Sequence, residues 1–177
     1  FVDPRKSNRG GVYAAFRTHE HPDGKTTEIV AVDAHIRLER KLSKNVAAIA
    51  ESESAFITGE TGLGPNTDYP VHKVRQFGSA TRLTLKGQSA GLSLDFLYAS
   101  GDQNYDDDEL NGFKADKNFD MGIILFRHLM ASTSARTPIL ASDRDLLGYP
   151  SENLDRIPSR GGATNTRSFF PRAWWNP

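Results

Sequence analysis

Apolar and polar residues alternate with a period of two through most of the first hundred positions. Over Thr27–Leu42, Val30, Val32, Ala34, Ile36 and Leu38 fall on one side, and Ala31, Asp33, His35, Arg37 and Glu39 on the other. Side chains of a strand point alternately to its two faces, so this spacing predicts a long strand with one apolar and one ionisable face. Gly11–Thr18 repeats it, with Val12, Ala14 and Phe16 set against Tyr13, Ala15 and Arg17. Ala80–Gly101 predicts two strands around a turn. Thr81, Leu83 and Leu85 share a face opposite Ala80, Arg82, Thr84 and Lys86; Leu92, Leu94, Phe96 and Tyr98 share one opposite Ser93, Asp95, Leu97 and Ala99. Gly87-Gln88-Ser89-Ala90-Gly91 supplies the turn residues, and His21-Pro22-Asp23-Gly24-Lys25 carries an Asp-Gly hairpin signal.

The pattern is weaker elsewhere. Val46–Gly59 reads as a strand because both neighbours do, with a helix over Asn45–Ser54 as the competing reading, since alanine and glutamate favour helices. Asp120–Met130 is apolar and, at eleven residues, too short for a membrane helix but suited to a tilted membrane strand. Ala131–Arg160 reads equally as a long excursion or another strand, and Gly161–Trp175 as a last strand ending in aromatic residues. His19–Lys25, Glu60–Lys73 and the acidic Asp102–Asn118 would lie at one end of these strands. The short turns at Leu42–Asn45 and Lys86–Gly91 would lie at the other. Outer-membrane barrels sort their connections in this way. The alternation alone also fits a soluble sheet with one wet face.

Composition narrows the choice. Hydrophobic residues are 37% of the 177, low for a packed globular core but compatible with a barrel, where only alternate residues meet lipid. Lys and Arg balance Asp and Glu at 22 each, so no overall field points to nucleic acid. The absence of cysteine excludes disulfides, a thiol nucleophile and thiolate metal sites. Phe1-Val2-Asp3-Pro4 lacks the basic start and apolar stretch of a signal peptide. The expectation is a chain that begins after processing or within a longer protein.

Three stretches resemble the alginate-export family of bacterial outer-membrane barrels. They are Asp95–Asp102 (DFLYASGD) followed by Asn111-Gly112-Phe113, then Met121–Arg127 (MGIILFR), then Gly161–Pro177 (GGATNTRSFFPRAWWNP). The resemblance implies an all-β fold, an antiparallel up-and-down transmembrane β-barrel in a Gram-negative outer membrane. It also implies passive passage of a hydrophilic solute, an anionic polysaccharide in the type members, through a charged pore. Water-filled porins need ~16–18 strands. Six or seven are readable here, eight at most, and no closing strand with a terminal aromatic is evident. A partial barrel continuing beyond both ends is therefore expected. A complete eight-stranded barrel with a filled lumen is the alternative.

Candidate chemistry follows from the polar faces. Arg17, Asp33, His35, Arg37, Glu39, Arg82, Lys86 and Asp95 are pore-lining candidates, with Arg17, Arg37 and Arg82 as a basic ladder for anions. The same residues would serve equally as a solvated sheet face or as cross-strand ion pairs. Asp102, Asn104 and Asp106 echo the start of a calcium loop, but Asp107 stands where glycine is expected, so any calcium would be weakly held at the surface. No HExxH or GxSxG occurs, and Gly62-Leu63-Gly64 lacks the third glycine of a phosphate loop. The sequence thus predicts a non-enzymatic protein without a resident cofactor. Its expected partners are membrane lipid or lipopolysaccharide, a hydrophilic solute, and other outer-membrane or periplasmic proteins. A structural barrel that scaffolds a partner, and a soluble all-β carbohydrate-binding module, are the competing functions.

Overall fold

The computed structural model describes residues 8–64, 68–104, 107–116 and 163–176. Seven strands make one sheet: β1 (Arg9–Glu20), β2 (Thr26–Lys41), β3 (Ala47–Thr61), β4 (His72–Lys86), β5 (Ala90–Ala99), β6 (Glu109–Leu110) and β7 (Thr166–Trp175). Their order is β1-β2-β3-β4-β5-β7 with every neighbouring pair antiparallel, while β6 pairs parallel with β4. Among the described residues the sheet is not closed into a barrel, and β1 and β7 are its two edges. The strands expected at Asp120–Met130 and the excursion at Ala131–Arg160 lie outside the described residues.

Local chemistry sets the turns. His21 N–H donates to the Lys25 carbonyl at 2.8 Å, and Gly24 adopts a φ of 78°, which a Cβ would disfavour. At the opposite end, Leu42 N–H donates to the Val46 carbonyl at 2.9 Å and Gly87 N–H to the Ala90 carbonyl at 2.8 Å. The ten-residue β3–β4 connection lies at one end and the three-residue β4–β5 turn at the other, as the sequence predicts, but the β1–β2 and β2–β3 connections are five residues each. Ala47–Thr61 is a strand throughout, despite its helix-favouring alanines and glutamates. It pairs along its whole length with β2 on one side and β4 on the other, and these ladders override local propensity.

The register aligns the apolar positions of all six long strands on one face. Val32 pairs with Phe56, Phe56 with Phe77, and Ala50 with Leu83; Leu83 in turn pairs with Leu94 and Leu94 with Pro171. No protein layer covers this face among the described residues: Phe16 is 69% exposed, Leu92 58% and Phe169 67%. Four of its hydroxyls bond in pairs across strands, Ser52 with Thr81 and Ser54 with Ser79, each pair at 2.9 Å. Small Ala48 and Ala50 leave a groove of about 980 Å³ between Leu38 and the leucines of β4 and β5. The register also gathers Phe56, Phe77 and Tyr98 near the long-loop end, with the Phe77 and Tyr98 rings 5.9 Å apart.

Candidate functional site

The reverse face carries the charge. Arg37, Glu51, Arg82 and Asp95 occupy paired positions on β2, β3, β4 and β5, so they form one row across the sheet. Arg37 bonds Glu51 and reaches Glu39 at 3.3 Å. Arg82 holds Asp95 through two bonds, Nε to one carboxylate oxygen at 2.6 Å and a terminal nitrogen to the other at 3.2 Å. Arg172 of β7 bonds the same carboxylate from the diagonal position. Asp95 is 2% exposed, and two guanidiniums compensate its charge. The row alternates in sign from Arg37 to Arg172.

This arrangement separates the sequence candidates. Arg37, Glu39, Arg82 and Asp95 come together; Glu51 and Arg172 complete them. Glu51 faces Arg37 and Arg82 through the β3 register, and Arg172 needs the pairing of β7 with β5, across a separation of 77 positions. Arg17 lies opposite Ile29, eight positions along β1 from Arg9, which pairs with Arg37. That is about 27 Å along the strand at ~3.4 Å per residue, so the basic ladder does not form. Lys86 sits at the short-turn end opposite Ala47, and His35 opposite Glu53. Asp33 is buried opposite Tyr13 and Ala55.

At the long-loop end a strap, Asp107–Asp116, pairs with β4 through β6 and then crosses this same face. Ser100 is its anchor. The hydroxyl donates to the Asn111 carbonyl at 2.6 Å and accepts N–H bonds from Phe77 at 3.0 Å and Phe113 at 3.3 Å. The Ser100 carbonyl accepts from Phe113 N–H at 2.9 Å and Asn165 N–H at 3.3 Å. One Asp102 carboxylate oxygen accepts the Asn104 N–H at 3.2 Å and the other the Asn111 N–H at 3.0 Å. Lys73 bonds Asp108 at 2.9 Å. The Phe113 ring rests on Gly78, where a Cβ would stand 2.1 Å from it. Among the described residues, Ala115, Ala80 and Phe170, each partly buried, pack against the buried Leu97 and Ala163.

Burial pushes the Asp102 carboxyl up from its ordinary value, against the lowering effect of its two N–H donors. The Lys73 hydrogen bond holds Asp108 below the usual carboxylate range. Both Asp102 oxygens are turned to the loop's own backbone, whereas Asp106 lies outside the described residues. No group of three His, Cys, Asp or Glu able to hold a metal occurs among the described residues. His72 is 1% exposed beneath Gly64 and beside Tyr69; neither ring nitrogen makes a hydrogen bond among them. Sequence reasoning missed the strap because no periodicity marks it; the one local signal was Asn111-Gly112-Phe113 after the acidic run. No helix among the described residues is long and apolar enough to cross a membrane, which leaves strands as a means of crossing untouched. Comparison with known protein families, curated proteins and solved structures finds no match.

Proposed function

We propose that this chain forms part of the wall of an outer-membrane, porin-like β-barrel that passes hydrophilic solutes. The observation that carries the reading is the uncovered apolar face across six strands, backed by a charged face. In water such a face is a liability, since monomeric soluble proteins rarely expose contiguous apolar patches of more than a few hundred Å². In lipid it is the required surface, and cross-strand hydroxyl pairs such as Ser52–Thr81 bond one another there.

The dimensions support the same reading. Phe56, Phe77 and Tyr98 mark one end of the apolar band, and Trp175 the other, opposite Ala90. Tyr98 and Ala90 are eight residues apart on β5. That is about 27 Å along the strand, or roughly 20 Å high at a tilt of ~40°, near the ~25 Å band between the aromatic girdles of outer-membrane barrels. The edges β1 and β7 then pair with further wall strands, because an open edge is not tolerated in lipid. The likeness of DFLYASGD and its companion stretches to the alginate-export family adds the solute class, an anionic polysaccharide. The charge row braces the wall, as each of its arginines bonds a carboxylate.

The test is cell fractionation followed by planar-bilayer recording of the full protein. Recovery with outer membranes, a need for detergent and stepwise ion current are expected. Purification as a detergent-free monomer would reject the membrane reading in favour of a soluble binding module. Membrane insertion without current would leave a scaffold.

A further inference from the structure

We infer that the groove on the apolar face seats one anionic phospholipid, with an acyl chain along its floor and the phosphate on Arg40. The inference rests on the membrane-wall reading and goes beyond general lipid contact, since it gives a single lipid a place and a headgroup charge. Three observations carry it. The first is the groove itself, about 980 Å³, lined by Leu38 and Arg40 of β2, Ala48 and Ala50 of β3, and Pro171 and Ala173 of β7, with leucines of β4 and β5 between them. The register sets these residues in two neighbouring rows, one from Leu38 through Ala50 to Pro171 and one from Arg40 through Ala48 to Ala173. From β2 to β7 is four strand spacings, about 19 Å at ~4.8 Å each. Half of the ~30 Å hydrocarbon core is about 15 Å, so the groove is long enough for an acyl chain of one leaflet. The second observation is that the groove ends in a cation. Arg40 is the next-to-last residue of β2 and alternates in step with Val30–Leu38, so it stands on the apolar face at the short-turn end. It is exposed and, unlike Arg37, Arg82 and Arg172, bonds no carboxylate among the described residues. An arginine so placed lays its stem on apolar neighbours and holds its guanidinium among the headgroups, where its planar fork matches a phosphate. The third is one-sided charge. Residues 40–50 and 83–94, which include both short turns, hold Arg40, Lys41, Lys44 and Lys86 and no Asp or Glu. Short turns of outer-membrane barrels are periplasmic, so these cations would face the headgroups of that leaflet. A headgroup with net negative charge complements them; a zwitterionic one carries its own cation.

The full protein is folded into phosphatidylcholine vesicles containing a minor fraction of phosphatidylglycerol. It is then released in mild detergent, and the lipid that stays bound is identified by native mass spectrometry. Protection from protease in the vesicles reports insertion independently. One phosphatidylglycerol per chain is expected, enriched roughly fivefold over its share of the vesicle, the worth of one arginine near an anionic surface. Arg40→Gln should keep a bound lipid and lose the enrichment. Ala50→Phe, which fills the floor of the groove, should insert and keep no lipid. Undiminished enrichment in Arg40→Gln, or undiminished retention in Ala50→Phe, overturns the site and leaves the wall reading standing. So does a wild-type chain that inserts and keeps no lipid; if that chain is a dimer, the groove belongs to a second copy. Failure of the wild type to enter vesicles overturns the wall reading, and the inference with it.

Discussion

Asp95 shows how much one residue decides. A carboxylate 2% exposed on a sheet face would be costly alone, but Arg82 and Arg172 both bond it. Asp95→Ala should lower unfolding free energy by about 1–3 kcal/mol, because two guanidiniums lose their shared acceptor. Arg82→Ala should cost less, since Arg172 still neutralises the carboxylate. The double variant Arg82→Ala/Arg172→Ala should cost more than the sum of the two single changes, which a urea double-mutant cycle measures; simple additivity would refute the shared compensation. Two other carboxylates act on the strap with opposite signs. Asp108, held low by Lys73, stabilises the closed strap above the ordinary carboxylate range, and this is lost as pH falls through its lowered value. Asp102, pushed up by burial, disfavours the closed strap while ionised, and this cost is relieved as pH falls through its raised value. In Asp108→Asn only the second effect remains. Strap amides in that variant should therefore become better protected as pH falls through the raised value of Asp102, after correction for intrinsic exchange.

Among the elements, β3 and the strap are the two that local sequence describes least well. Residues 45–54 carry enough alanine and glutamate for a helix, yet the paired edges of β2 and β4 hold them extended. The strap has almost no regular structure, with only the two-residue β6, so its position depends on the fastenings around Ser100 and on Gly78. Gly78→Leu should therefore unseat Phe113. A local loss of about 1–3 kcal/mol, the usual cost of overpacking, is expected in strap amides. The amides of β2 and β3 should keep their wild-type exchange. Equal loosening across the whole sheet would place Gly78 in general sheet stability rather than under the strap.

At the level of the whole molecule, the apolar face needs lipid or another cover. Leu83 stands in the middle of that face and is about half exposed, at 49%. In a bilayer Leu83→Arg should reduce folding free energy by about 2–4 kcal/mol, measured by urea titration in vesicles. A surface leucine in water would tolerate the same change within about 0.5 kcal/mol. Thr84→Arg, one position along and facing the other way, is the control and should be mild. A mild result for both would point away from lipid.

Alternation at period two was enough to define β1, β2, β5 and the C-terminal half of β4 with their two faces, because strand geometry is local and needs no knowledge of neighbours. It placed Arg37, Glu39, Arg82 and Asp95 on one face. It could not pair them, because register joins residues far apart in the chain. Arg172 reaches Asp95 from 77 positions away, and Arg17 falls out of the ladder, only once the strands are laid side by side. The aromatic row Phe56–Phe77–Tyr98 and the folding of residues 107–116 over the charged face are likewise tertiary facts. Each depends on where separate strands meet, and periodicity within a single strand carries no record of that.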